Sequence, residues 1–108
     1  MTWFGVRTVF FLSWADAYEE RVTVHRAQSF EEAIAAAEHE YREYAATLNM
    51  EWTGMSQAFE MADNLEDGAE VFSLIRRSSL DPDTYVDHFF STGEEMEKIQ
   101  PQDSDDSP

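Results

Sequence analysis

The chain has 108 residues, and its 23 acidic and 7 basic side chains give it a formal net charge of −16. The length is that of a single domain, and an apolar content of 43% argues against an intrinsically disordered chain. The charge excludes direct binding to nucleic acid, because phosphate contacts depend on lysine and arginine and Lys98 is the sole lysine. It favours basic protein partners instead, or serves only to keep the protein soluble.

Targeting and cofactor signals are missing from the sequence. There is no cysteine, which excludes disulfides and thiolate metal sites and fits a reducing compartment. The first residues lack the pattern of a secretory signal, and no apolar run approaches the roughly 20 residues that span a bilayer. No phosphate-binding glycine loop, dinucleotide fingerprint or nucleophile elbow is present. We therefore expect a cytoplasmic protein that binds neither a membrane nor a cofactor.

Two strands are predicted at the start of the chain, over residues 3–12 and 18–27, with a hairpin loop at 13–17 between them. One side of the first strand carries Phe4, Val6, Phe10 and Leu12, and the other carries Trp3, Arg7, Val9 and Phe11. One side of the second strand carries Tyr18, Val22 and Val24, and the other carries Glu19, Arg21, Thr23 and His25. We interpret that polar side as a surface, with ordinary ion pairs among its charged residues and with His25 exposed.

A helix is predicted over residues 29–48. Ser29 followed three positions later by Glu32 is a capping box, which marks the start of a helix. Apolar residues then recur at helical spacing and form one face: Phe30, Ala33, Ile34, Ala37, Tyr41, Tyr44, Ala45 and Leu48. The opposite face is acidic and includes Glu31, Glu38 and Glu43.

Two further strands and a short helix are predicted after this helix. The strands cover residues 52–62 and 69–77, with Asp67-Gly68 as the turn between them. Asp81-Pro82 is typical of a helix start, with a capping residue followed by proline at the first helical position. Residues 1–90 are thus predicted to form one domain. Residues 91–108 are rich in acids and prolines, and we expect them to form a disordered acidic tail.

The predicted fold is therefore α+β, an antiparallel four-stranded sheet of ββαββ order with the main helix on one face and a short C-terminal helix. One helix covers only one face of such a sheet. Trp3, Val9 and Phe11, together with Trp52, make the other face more apolar than a solvated surface. This open face indicates a protein partner or a homodimer.

Four short motifs in this order and spacing resemble a small bacterial domain-of-unknown-function family, number 4288. They are Trp3-Phe4, Tyr18-Glu19-Glu20-Arg21-Val22, Ser29-Phe30-Glu31-Glu32-Ala33 and Asp67-Gly68-Ala69-Glu70-Val71-Phe72-Ser73. The likeness covers residues 2–90. It implies a compact bacterial domain and brings with it no activity, catalytic residue or cofactor.

Candidate catalytic and metal-binding residues are few. Asp87 and His88 are adjacent in the final helix and offer an acid–base pair, which is the basis of an enzyme hypothesis. His39 and Glu43 lie four residues apart, a spacing compatible with a metal, but no further ligand joins them and a solvated helix surface explains them more simply. We assign no catalytic, cofactor-binding or metal-binding residue.

Trp14 is the sharpest binding candidate, because a tryptophan in a hairpin loop either tucks under the sheet or anchors a partner. We expect a non-enzymatic protein-binding module that uses negative charge to steer its partner and that self-associates through its open sheet face. A more specific alternative is an immunity or inhibitor protein that neutralises a basic toxin or nuclease by charge mimicry. The partner-binding candidates are Trp3, Val9, Phe11, Trp14, Trp52, Glu31, Glu38 and Glu43.

Overall fold

A computed structural model describes residues 1–91 and 93–101, which form three strands and two helices. The elements are β1 (Thr2–Leu12), β2 (Ala17–Ala27), α1 (Phe30–Leu48), β3 (Glu51–Glu60) and α2 (Pro82–Phe89). The chain divides into two compact units, Met1–Leu74 and Ile75–Pro108. The first contains the whole sheet and α1, and the second contains α2.

The sheet is antiparallel with the spatial order β2-β1-β3, so β1 is central and the other two strands are edges. The predicted four-stranded sheet is therefore wrong, because the described part of the chain contributes three strands. Residues 69–79 contain no regular secondary structure. The Asp67-Gly68 turn does form, with Gly68 at a φ of 83° and the Ala69 amide donating to the Glu66 carbonyl. It does not lead into a strand.

The core lies between β1 and α1, on what we call the helix face of the sheet. The predicted alternation of β1 is confirmed: Phe4, Val6 and Phe10 are buried. The apolar side of α1 meets them through Ala33, Ala37, Tyr41 and Ala45, all of which are buried. Small alanine side chains let the helix axis approach the sheet closely, so large rings from β1 fill the space between them.

Helix α1 begins and ends with capping contacts. The Ser29 hydroxyl accepts a hydrogen bond from the Glu32 amide, and the Glu32 carboxylate accepts one from the Gln28 amide, both at 3.1 Å. The predicted cap at Ser29 is thereby confirmed. Asn49 ends the helix in the left-handed conformation (φ 56°), which asparagine tolerates better than most residues. The contacts of Ser29 and Glu32 satisfy amides at the N-terminus that have no partner within the helix.

A β-bulge interrupts the pairing of β1 with β3 between Thr8 and Phe10. Gly54 takes a φ of 87° there, and the Thr53 hydroxyl donates to the Val9 carbonyl at 2.8 Å. Buried Thr8 donates to the Met55 carbonyl and accepts a hydrogen bond from the Trp52 indole at 2.8 Å. Trp52 therefore packs on the helix face, and its predicted position on the opposite face is wrong.

The opposite face, which we call the second face, is partly covered by residues 69–74, the cover segment. The Val71 carbonyl lies directly against Gly5, so that a Cβ added to Gly5 would overlap it. Phe72 packs against Phe59, with 6.1 Å between ring centres, and under the guanidinium of Arg7 at 4.7 Å. The chain thus covers with its own residues part of the face that we expected to be open.

The second unit is built around α2. The Asp81 carboxylate accepts a hydrogen bond from the Thr84 amide at 2.8 Å, which confirms the predicted cap, and this bond lowers the pKa of Asp81. Arg76 donates to the Tyr85 hydroxyl at 2.7 Å and lies 4.3 Å from the Phe89 ring centre. The predicted disorder of the tail falls partly on Thr92 and residues 102–108, which lie outside the described residues. Among the described helices none has the length and apolar character needed to cross a bilayer.

Candidate functional site

An open groove of about 620 Å³ lies where the β1–β2 hairpin meets the end of α1. Most of its lining is apolar or aromatic, and two carboxylates stand among these side chains. We call it the hairpin-end groove. Its lining residues are Leu12, Trp14, Tyr18, Glu19, Glu20, Tyr44, Leu48 and Met50.

The hairpin loop presents Trp14 at one side of the groove. The two strands pair as far as Leu12 and Ala17, and the Ala15 amide donates to the Leu12 carbonyl at 3.1 Å. Asp16 closes the turn in the left-handed conformation (φ 50°). The indole of Trp14 is left 65% exposed, so it does not tuck under the sheet.

Tyr18 forms the next part of the groove and is 67% exposed. Its ring rests on that of Phe11 with 5.0 Å between centres. Phe11 lies on the second face, opposite Tyr18 in the pairing of β1 with β2. Tyr18 therefore lies between the groove and the part of the second face that carries Val9 and Phe11, both half-buried.

The far wall of the groove is held by an ion pair and a stacked ring. Arg21 donates two hydrogen bonds to the Glu40 carboxylate, at 2.7 and 3.0 Å, and its guanidinium lies 3.7 Å from the Tyr44 ring centre. The Tyr44 hydroxyl donates to both oxygens of Glu19, at 2.9 and 3.1 Å. This hydrogen bond raises the pKa of Tyr44, and the contact with Glu40 raises the pKa of Arg21.

The polar side of β2 faces α1, so our interpretation of it as a surface is wrong. The reason is that α1 supplies polar partners to this strand: Glu40 to Arg21 and the Tyr41 hydroxyl to Thr23 at 3.3 Å. His25 is half-buried beside them and hydrogen-bonds the Thr23 hydroxyl at 2.8 Å. Burial lowers the pKa of His25 and raises that of Tyr41.

The structure brings one of the eight predicted partner-binding residues, Trp14, into the groove. Trp3, Val9 and Phe11 lie half-buried on β1, with side chains on the second face, and Trp52 lies on the helix face. Glu31 and Glu43 are exposed along α1, and Glu38 is half-buried. These three carboxylates do not line the groove.

The residues of the enzyme and metal hypotheses lie elsewhere. Asp87 and His88 are exposed on α2, where the imidazole contacts the Phe89 ring at 4.6 Å. His39 and Glu43 form an exposed contact of 3.4 Å on α1. Within the described ranges, no three His, Asp or Glu side chains come close enough together to hold a metal ion.

Comparison with known proteins found no family model, no curated protein and no solved structure that matches the chain. The resemblance to the bacterial family of unknown function therefore stays a prediction, and the function is argued from the groove itself.

Sequence reasoning missed seven of the eight residues that line the groove, all except Trp14. Tyr44 and Leu48 belong to the predicted apolar side of α1, and this position predicts contact with the sheet. The signal that identifies them is length: α1 has 19 residues, and its last turn extends to the hairpin loop. An apolar residue there lies beside the loop and meets the groove.

Proposed function

We propose that the protein is a non-enzymatic binding module that docks a basic segment of a protein partner, with an apolar side chain of that segment in the hairpin-end groove. The observation that carries this proposal is the combination of exposed Trp14 and Tyr18 with Glu19 and Glu20 in one open groove.

The apolar lining supports a docking role because it leaves large side chains in water. Trp14 and Tyr18 are each about two-thirds exposed, and Leu48 is 47% exposed. Tryptophan and tyrosine are the residues most enriched among side chains that dominate binding energy in protein interfaces. Covering them with a partner removes apolar surface from water at about 25 cal/mol per Å².

The groove wall is organised before any partner arrives. Tyr44 is fixed on its face by Arg21 and at its hydroxyl by Glu19. Leu48 stands on a helix whose end is closed by Asn49. A wall that is already ordered loses little side-chain entropy on binding, so more of the contact energy remains as affinity.

The local charge selects a basic segment. Arg21, the cation nearest to the groove, is neutralised by Glu40, whereas Glu20 is exposed and belongs to the lining. The net charge of −16 adds a long-range attraction for cations, which raises the rate of encounter. A basic toxin would be one such partner, so the inhibitor hypothesis is a special case of the same chemistry.

Selection from a library of displayed random peptides tests the proposal. The full chain is the bait, and Trp14→Ala is the counter-selection. Enriched peptides are expected to share an apolar residue flanked by lysine or arginine. Binding of a selected synthetic peptide should weaken at least tenfold on Trp14→Ala and should fall with salt, since ions screen charge attraction.

Phe90→Ala is the matched control, because Phe90 is an aromatic residue with a similar exposure of 57% outside the groove. It is expected to leave peptide affinity unchanged. Enrichment of peptides without basic residues, or of peptides that bind the Trp14→Ala variant equally well, would refute the proposal.

A further inference from the structure

Strand β2 is a long edge of the sheet. It runs without a bulge over 11 residues, and each of them pairs with β1 on its inner side. In the described part of the chain no strand pairs with its outer side. The unpaired amides and carbonyls of such an edge are a template for another strand.

The other edge, β3, is unsuited to pairing with a copy of itself. Its pairing with β1 is broken by the bulge, and Gly54 bends it with a positive φ. Glu51 and Glu60 stand at its two ends, so antiparallel pairing of two β3 strands would bring an acidic end of one copy next to an acidic end of the other. Bulges and like charges of this kind are common protection of sheet edges.

Strand β2, unlike β3, is acidic at one end and basic at the other. Glu19 and Glu20 lie near its hairpin end, and Arg26 lies near the other end. Glu20 and Arg26 are both exposed, and neither forms an ion pair with any residue that the structure describes. An antiparallel copy of the strand brings its basic end to this acidic end.

We infer that two copies of this chain pair antiparallel through β2, with the two-fold axis at Val22, to form a continuous six-stranded sheet. In this register Tyr18 of each copy lies opposite Arg26 of the other, and Glu20 lies diagonal to it. The axis stands perpendicular to the sheet, so both α1 helices lie on the same side. Opposite and diagonal neighbours in antiparallel strands are close enough for such charge and ring contacts.

The position of the axis follows from the length of the strand together with its charges. Side chains that pair across the new interface must lie on the same face of the sheet. The two-fold axis therefore passes at a residue of β2 and not between two residues. A centre at Thr23 sets Arg21 opposite His25, and a centre at Arg21 sets that arginine against its own copy. The centre at Val22 is the midpoint of β2, leaves no like charges directly opposite each other, and joins two side chains that are each 45% exposed.

Sedimentation equilibrium of the full chain tests this inference. The expected mass at micromolar concentration is twice the 12.5 kDa of one chain. Val22→Glu and Val22→Lys each place like charges together at the axis, so each variant alone is expected to sediment as a monomer. An equimolar mixture of the two is expected to recover the double mass, because the axis then joins opposite charges.

Ala46→Glu and Ala46→Lys are the matched controls, since Ala46 is exposed on α1 and the same charges there should leave the dimer intact. A wild-type chain that remains at 12.5 kDa, or Val22 variants that dimerise separately, would overturn the inference. Tyr18 and Glu20 belong to both the groove and the paired edge, so a peptide in the groove is expected to compete with the dimer. Trp14 lies outside the paired stretch, so Trp14→Ala should not change the mass. Failure of the dimer and failure of the groove are therefore seen in different measurements.

Discussion

Arg21 lies over the ring of Tyr44, with its guanidinium carbon 3.7 Å from the centre of the ring, and this contact joins the sheet to the helix beside the groove. The same guanidinium holds Glu40 with two hydrogen bonds. A planar cation is needed for both contacts at once, because one group must stack on a ring and form a fork to a carboxylate.

Arg21→Lys keeps the charge but loses both the stacking surface and the fork. We expect the free energy of unfolding to fall by about 1 kcal/mol, measured by urea denaturation. Arg42→Lys is the control, since Arg42 is an exposed residue that lies 5.1 Å from the Trp52 ring centre and should cost less. Equal losses for the two variants would contradict the special role of Arg21.

Tyr41→Phe removes a hydroxyl from the middle of the core. Tyr41 is fully buried, and its hydroxyl donates to the Val6 carbonyl at 2.9 Å. Without it the carbonyl loses this donor in a dry environment, which should lower the free energy of unfolding by about 1–3 kcal/mol. Tyr85→Phe removes a hydroxyl from an exposed contact with Arg76. A thermal unfolding series should show a clearly smaller shift for that variant.

Gly5→Ala tests the contact between the cover segment and the sheet. The added methyl group would occupy the place of the Val71 carbonyl, so either the segment moves away or the strand distorts. We expect a loss of about 1–3 kcal/mol in the free energy of unfolding, as for other overpacked sites. Limited proteolysis within residues 69–74 should become faster.

Phe72→Ala provides the internal control for this prediction, because it weakens the same segment through Phe59 and Arg7. In the double variant, Gly5→Ala should cost less than it does alone, since the segment is already loosened. Additive losses would mean that Gly5 acts independently of the cover segment.

His25 is expected to make stability depend on pH. Burial lowers the pKa of His25 in the folded protein, while the unfolded chain keeps a value of about 6.5. Below about pH 6.5 the unfolded state therefore binds a proton that the folded state resists, and the free energy of unfolding falls as the pH falls. Glu40 opposes this shift, and Arg21 adds to it.

His25→Gln removes the titrating group. The stability of the wild type relative to this variant should decrease between about pH 7.5 and pH 5.5, as measured by urea denaturation at each pH. A difference that stays constant over this range would show that His25 does not couple folding to protonation.

The sequence was sufficient to predict the elements that rest on local rules. Ser29 and Glu32 marked the start of α1, and the alternation of Phe4, Val6 and Phe10 identified the inner side of β1. Asp81 marked the start of α2. In each case the signal lies within a few residues, since capping and alternation are short-range effects.

The prediction of a fourth strand was wrong because it rested on a turn signal at Asp67-Gly68 and on composition, and neither specifies a pairing partner. Val71 and Phe72 are β-formers, but in the described part of the chain no strand pairs with them. What decides their position is Gly5, some 66 positions earlier in the chain, which leaves room for a backbone to pass. No pattern within residues 69–77 contains that information.

The groove depends on a similar long-range relationship. Polar residues at alternate positions of a strand normally predict a solvent-exposed side. In β2, however, Arg21 and Glu19 face α1, because Glu40 and Tyr44 provide their hydrogen-bond partners. The exposed side of β2 is therefore the one that carries Tyr18 and Val22. Hydropathy alone predicts the reverse, with the polar side of β2 exposed and the side of Tyr18 and Val22 buried.

The position of the cover segment in the chain has a consequence for the order in which the chain folds. Residues 69–74 follow all three strands in the chain, so they can cover the second face only after or together with the pairing of the strands. A chain whose sheet has formed but whose residues 69–74 have not docked leaves Gly5 and Phe59 exposed to solvent. Exposed apolar surface of this kind binds chaperones or other unfinished chains. Docking of residues 69–74 on the sheet is thus the folding step that protects this part of the second face from aggregation.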